Sequence, residues 1–303
     1  MFGQKGACIM LVTMKEILDR ASEKGYAVAA PNVDNELNAR ACIEAAEETH
    51  APLILDVAFR AVPDLYFFGH ELRALACQSC VPIAINLDHG ADLEQVQKAI
   101  QAGFTSVMID RSACPDDVNI KEVREVAKLA HAAGISVEAE LGHVGYGEQT
   151  DANIGWLTDP ASVRRYIEET QVDCLAVAIG TAHGAYPQNI VPKLDLERLV
   201  QIKAAVGNFP LVLHGSSGAD PQSLREACRL GINKVNINHD LCRAAAEAVK
   251  NESFEGNRAY MIFRTAQAGL KQKLKEMIEI YGSQDQAWNL SPAGLPQVQF
   301  PKK

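Results

Sequence analysis

Short apolar runs alternate with longer amphipathic segments along this chain, and the alternation repeats eight times. The apolar runs are Tyr26–Val33, Pro52–Val57, Pro82–Leu87, Ser106–Ile109, Ser136–Leu141, Cys174–Ile179, Leu211–Leu213 and Lys234–Ile237. Each is too short for a helix, rich in Val, Ile, Leu or Ala, and not alternating, as expected of a strand buried on both faces. Between them, helical spacing recurs over Glu36–Thr49, Leu93–Ala102, Val118–Ala133, Ala161–Thr170, Leu196–Val206 and Leu224–Leu230. Gly134 and Gly231 are good helix stops, and Asp159–Pro160 and Asp220–Pro221 good starts, with a capping carboxylate before a proline at the first helical position. Strand–helix alternation with short connections predicts a parallel sheet, and eight units predict closure into a TIM (β/α)8 barrel. Two further helices follow, over Leu241–Lys250 and, past the polar Asn251–Asn257 break, over Ala259–Tyr281. The expected organisation is one α/β domain over 10–282 with an extra C-terminal helix. Residues 1–9 read as an extension, and 283–303, rich in Pro, Gln, Gly and Ser, as a mobile tail.

Composition narrows the partners. The 303 residues are 48% hydrophobic and 22% charged, ordinary for a globular domain with a large core. A net charge of −9 argues against a general nucleic-acid or anionic-membrane binder, though a local site can still attract a small anion. No apolar run is long enough for a bilayer, and no signal peptide is evident, so a cytoplasmic protein is expected. The eight cysteines are scattered. Cys77 and Cys80 form one C-x-x-C without a second pair, so helix-face thiols in a reducing compartment are expected there rather than a zinc or redox site.

In a barrel the active site lies at the C-terminal ends of the strands, and the polar residues fall at that end. Asn32 ends strand one, Asp88 and His89 strand three, Asp110 strand four and Glu140 strand five. Strand six runs into Gly180–Gly184, strand seven into His214–Gly218 and strand eight into Asn236–Asp240. His89, His183 and His214 therefore converge on one mouth, and three imidazoles with an open fourth position describe a catalytic zinc site. A single histidine after a strand is more often a hydrogen-bonding loop residue; three at corresponding positions favour the metal. His50, His70 and His131 lie on or beside helices and read as solvent-facing, while His143 fits either role. The glycine- and hydroxyl-bearing loops after strands seven and eight lie where barrels commonly hold phosphate. A Schiff-base aldolase needs a lysine at a strand's C-terminal end. Lys234 enters strand eight at the other end and no other lysine interrupts a strand, so activation is expected from a metal.

At these residues the chain resembles a known family. Residues 86–90 (Asn-Leu-Asp-His-Gly), 103–110, 137–142, 178–184, 211–218 and 234–237 are similar, in order, to motifs of the class II fructose-/tagatose-bisphosphate aldolases, a resemblance that spans about Met10 to Gly282. It implies one zinc ion per subunit on His89, His183 and His214, polarising a ketose carbonyl and stabilising the enediolate as a carbon–carbon bond breaks. Asp88 matches the residue that moves the proton of the cleaved hydroxyl. Glu148 matches the carboxylate handling the proton on the nucleophilic carbon; its alternative is a solvated loop residue. Asp110 and Glu140 match supporting or alternative-metal carboxylates. Gly184, Gly215, Ser217 and Asn236, with Asn238 and His239 beside them, match the cradle for the phosphate of dihydroxyacetone phosphate. The family also implies a monovalent cation (Na+ or K+) near that cradle and a homodimer or homotetramer.

The departures concern substrate. Pro31 precedes Asn32 where phenylalanine is usual, Leu55–Arg60 replaces a serine-bearing stretch, Arg111 stands in place of a glycine, and His239 in place of a threonine. Arg60 and Arg111 could grip a carboxylate or second phosphate, or Arg111 could pair with a neighbour such as Asp116. The expected activity is cleavage of a ketose bisphosphate or sugar-acid phosphate. A phosphosugar isomerase or epimerase using the same metal, and an inactive partner subunit of an aldolase, are the alternatives.

Overall fold

Helix α1 (Met14–Lys24) precedes the first strand and is not among the segments the apolar pattern predicts. Thr13 caps it, its side chain accepting from the Glu16 N–H, and Gly25 ends it in the left-handed region at φ 73°. Its buried face (Met14, Ile17, Leu18, Ala21) packs on Val28, Ile54, Ala84, Cys174, Ala176 and Val212, residues early in their strands. The helix thereby plugs the bottom of the barrel, opposite the polar strand ends. The computed structural model describes residues 10–146, 156–187, 190–288 and 295.

The strands are β1 (Val28–Pro31), β2 (Leu53–Ala58), β3 (Ile83–Gly90), β4 (Ser106–Ile109), β5 (Ser136–Leu141), β6 (Cys174–Val177), β7 (Leu211–Leu213) and β8 (Ile232–Ile237). The helices between them are α2 (Glu36–Glu48), α3 (Leu65–Ala76), α4 (Leu93–Ala102), α5 (Asp116–Ala132), α6 (Val163–Thr170), α7 (Leu196–Val206) and α8 (Pro221–Leu230). All pairings are parallel, in the order β1-β8-β7-β6-β5-β4-β3-β2. The ring closes between β1 and β2 through the Asn32–Asp56 bridge and the Val33 N–H donating to the Asp56 carbonyl at 2.8 Å. The eight-stranded barrel expected from the alternation is what forms, with the core between strands and helices.

Element boundaries shift by a few residues from the sequence expectation, and two helix starts show why. Asp220 caps α8 as predicted, accepting from the Ser223 N–H with proline at the first position. Asp159–Pro160, by contrast, opens a turn: Asp159 accepts from the Ala161 N–H and the Ser162 hydroxyl, so α6 starts only at Val163. The last helix, α10 (Ile262–Tyr281), follows α9 (His239–Lys250) and is preceded by a 3-10 turn over Gly256–Met261. α10 buries Leu270, Leu274, Met277, Ile278 and Tyr281, and Lys271 ties it to Glu44 and Glu48 of α2.

Past α10 the Asp285 and Ala287 N–H groups donate to the carbonyls of Thr49 and His50, and the Arg20 guanidinium lies 4.3 Å over the Trp288 ring. Leu295 donates to Glu47; the rest of the expected tail, and the extension over 1–9, lie outside the described residues. Cys80 is a free thiol but Cys77 is disulfide-bonded, so Cys77 is not the simple helix-face thiol expected and the two do not pair with each other. No helix among the described residues is long and apolar enough to cross a membrane.

Candidate active site

Asp88 and His89 are consecutive in β3, and in a regular strand their side chains would face opposite sides. Here the β3–β4 register shifts between Leu87 and Gly90, and His89 takes φ 50°, a left-handed conformation uncommon for a residue with a side chain. The irregularity turns both side chains into the mouth, where both line one cavity of about 570 Å³. Gly90 permits it, because a Cβ there would stand 2.5 Å from the Met108 carbonyl oxygen.

His183 lies in the loop after β6, its N–H donating to the Gly145 carbonyl at 2.7 Å. His214 directly follows β7 and is fully buried. One ligand nitrogen from each of His89, His183 and His214 lies within 4.8 Å of the others, a set that could hold a metal ion. Hydrogen-bond partners assign the tautomers. Nδ1–H of His89 donates to Asp110 Oδ2 and Nε2–H of His214 to Glu138 Oε1, both at 2.8 Å. That leaves His89 Nε2 and His214 Nδ1 facing each other at 3.0 Å, within hydrogen-bond distance. Carboxylate-held imidazoles of this kind are typical of metal ligands.

The charges around these rings favour a cation. Burial pushes the His89 pKa down, but Asp88, Asp110 and Glu140 outweigh it and raise it to about 10. Burial, then repulsion from His89 and His214, lowers His183 to about 3 and keeps it neutral. Burial would raise Asp88, yet His89, His214 and Lys234 hold it down to about 2. Asp88 is thus an ionised carboxylate, gripped on Oδ2 by the Asn32 amide at 2.8 Å and on Oδ1 by the Asn236 amide at 3.1 Å.

The cavity is also lined by Asn32, Arg60, Asp110, Arg111, Gly184, Gly215, Ser217, Asn236, Asn238 and His239, so most of the residues singled out in the sequence meet there. Glu140 is buried beside it, with Oε2 3.4 Å from His214 Nδ1. Glu148 lies outside the described residues. The two arginines differ. Arg111 is engaged with Glu122, not with Asp116, and with the carbonyls of Ala91 and Asp110. Arg60 lies exposed at the rim with its guanidinium 5.2 Å from the Phe59 ring centre, and has no acidic partner among the described residues.

At the other side Gly215, at φ 69°, passes so close to the loop after β6 that a Cβ would sit 2.4 Å from the Ala182 oxygen. Ser217 accepts from the Asp240 N–H, placing this loop against the first turn of α9. His143 enters the cavity wall, its Nδ1 2.8 Å from the Ser112 hydroxyl that donates to Asp110.

Strand β8 begins two residues before Lys234, which still lies in its first half, away from the mouth. Lys234 is fully buried, and its amine points up inside the barrel to Asp56 and Glu138, both at 2.9 Å. Asp56 and Glu138 were not singled out in the sequence, because each lies inside an apolar run rather than at its end. That a strand buried on both faces carries an acid at all was the available signal.

Comparison with known proteins agrees with this architecture. The family model for fructose-bisphosphate aldolase class-II matches residues 12–286. The fructose-bisphosphate aldolase of Thermus caldophilus is 38% identical, covering 90% of this chain and 99% of its own, and that of Staphylococcus aureus (strain Mu50) is 36% identical, covering 91% and 99%. Among solved structures, the YdjI aldolase from Escherichia coli K12 superposes with a TM-score of 0.82 at 33% identity, over 92% of this chain and all of that one. With the metal-ready mouth on a matching barrel, the chain belongs to the class-II fructose-bisphosphate aldolase family of metal-dependent lyases.

Proposed function

We propose that the protein is a zinc-dependent aldolase that reversibly cleaves a phosphorylated ketose into dihydroxyacetone phosphate, or a close analogue, and an aldehyde. The observation that carries this reading is the convergence of three imidazole nitrogens beside an ionised carboxylate, with His89, His183 and Asp88 lining one cavity and His214 buried behind them. The all-nitrogen donor set suits zinc. When bound, zinc supplies Lewis acidity toward the ketose carbonyl.

The remaining work falls to side chains. Asp88, ionised and held by two amides, takes the proton from the hydroxyl of the carbon that becomes the aldehyde. As that C–C bond breaks, its electron pair stays with the carbon next to the carbonyl, which then takes a proton; Glu148 is the proposed donor. The N–H groups around Gly184, Gly215 and Ser217, with the N-terminus of α9 at Asn238 and His239, bind the phosphate. Asn236 both lines this end and positions Asp88.

Arg60 is proposed to bind an anionic group, a second phosphate or a carboxylate, on the aldehyde half. In support, it lines the cavity without an acidic partner among the described residues. Arg111 is engaged through Nε and Nη1 by Glu122 and two carbonyls, and a structural role is proposed for it instead.

The test is to incubate the zinc-loaded protein with ketose 1-phosphates, ketose bisphosphates and sugar-acid phosphates, and to follow triose-phosphate release. Release from substrates with an anionic far end is expected. Interconversion of isomers without carbon–carbon cleavage would replace this reading with an isomerase.

A further inference from the structure

Beneath the mouth, Lys234 Nζ meets three oxygens: Asn236 Oδ1 at 2.7 Å, Glu138 Oε2 at 2.9 Å and Asp56 Oδ2 at 2.9 Å. Two of these contacts are hydrogen bonds, to Asn236 and Glu138, and the third is an ion pair with Asp56; as a charged ammonium the amine has no lone pair for covalent chemistry. Lys234, Asp56 and Glu138 are all fully buried. Stability does not account for such a cluster, since well-packed apolar side chains of similar volume usually serve a core as well or better.

What the cluster does is orient. With Asn236 Oδ1 facing the lysine, the amide must present Nδ2 to Asp88 Oδ1. With Glu138 Oε2 on the lysine, Oε1 faces Nε2 of His214, which leaves Nδ1 of that ring toward His89 and His183. Asp56 braces the lysine from the far side and is itself fixed by the Asn86 amide at 2.9 Å. One ammonium thus fixes the proposed proton acceptor, Asp88, through one residue and the proposed metal ligand His214 through another.

We infer that Lys234, braced by Asp56 and acting through Glu138 and Asn236, is a positioning residue that sets the tautomer of His214 and the rotamer of Asp88. The inference rests on the reading of His89, His183 and His214 as zinc ligands. Removing the ammonium frees Glu138 to turn and leaves Asn236 without the acceptor-side restraint that aims its amide at Asp88. Zinc affinity and the catalytic step should then both suffer, although Lys234 touches neither substrate nor metal.

The experiment compares wild type with Lys234→Gln, and with the near-isosteric Asp56→Asn in case the first does not fold. Zinc dissociation constants are measured by chelator competition, and the His214 ring nitrogens are assigned by 15N NMR in the zinc-loaded proteins. Wild type should show a protonated Nε2 and a proton-free Nδ1 on His214. The folded variants should bind zinc about 10- to 100-fold more weakly, show altered His214 ring signals, and lose kcat with little change in KM. Wild-type affinity and ring signals in both folded variants would overturn the inference while leaving the zinc site intact. Failure of wild type itself to bind zinc would instead overturn the reading of the site.

Discussion

His89 Nε2 and His214 Nδ1 lie 3.0 Å apart, each being the nitrogen left over once its ring's other nitrogen is committed to a carboxylate. Two nitrogen lone pairs at that separation repel unless a proton or a metal cation lies between them, and in metal-free protein at neutral pH the proton of His89 fills that place. Zinc–nitrogen bonds of ~2.0–2.1 Å at the tetrahedral angle would hold two imidazole nitrogens about 3.3 Å apart. The rings are therefore within a few tenths of an ångström of ligand geometry.

Zinc uptake should release protons. With its pKa raised to about 10, His89 is protonated in chelator-stripped protein at neutral pH, whereas His183, lowered to about 3, is already neutral. Binding one zinc ion at neutral pH should expel about one proton, read by calorimetry in buffers of different ionisation enthalpy. Affinity should rise with pH up to about 10. The same shift stabilises the stripped protein: its contribution is full below the unperturbed value of 6.5 and is lost as pH climbs to about 10. Zinc uptake with no proton release would show that His89 is not the charged group.

Asp88 is predicted to act on the proton rather than to ligate. Asp88→Ala should cut kcat by about 10²- to 10⁴-fold with zinc content nearly unchanged by elemental analysis. Loss of the metal along with activity would mean that its role has been misassigned.

The two arginines should separate cleanly. Arg60→Ala should raise KM roughly tenfold for a substrate with an anionic far end, the scale of one charge-assisted hydrogen bond, and much less for a neutral-ended one. Arg111→Ala should instead lower the melting temperature by loosening α5 from the loop after β4, without changing the preference between those substrates. Equal responses from the two variants would contradict the assignment.

Gly215→Ala combines a left-handed backbone with a 2.4 Å approach to Ala182. A destabilisation of at least ~1–3 kcal/mol is expected, with weaker binding of dihydroxyacetone phosphate. A variant with wild-type stability and affinity would show that the loop can relax and that close backbone approach is not needed.

The barrel and most of the mouth were legible in the sequence for one physical reason. Polar residues at the ends of apolar runs cannot be core, and the parallel topology brings those ends to one face, so His89, His183, His214, Asp88 and Asn236 could be grouped without coordinates. Three features were not legible. The bulge that lets adjacent Asp88 and His89 share a face is a register shift, set by β4 as much as by β3. α1 was overlooked because it plugs the barrel from outside the strand–helix repeat. The reach of Lys234 from the early part of β8 was not legible because its partners come from β2 and β5, far apart in sequence. Arg111 shows the same limit: its partner Glu122 is nearly two turns further along α5 than Asp116 at the helix start.

The most direct measurement is X-ray absorption at the zinc edge of the loaded protein, wild type beside His214→Ala. The wild-type spectrum should require three imidazole nitrogens at ~2.0–2.1 Å and no sulfur, and the variant should lose one imidazole or the metal altogether. A spectrum with fewer than three imidazoles, with sulfur, or unchanged in the variant would contradict the metal centre described here.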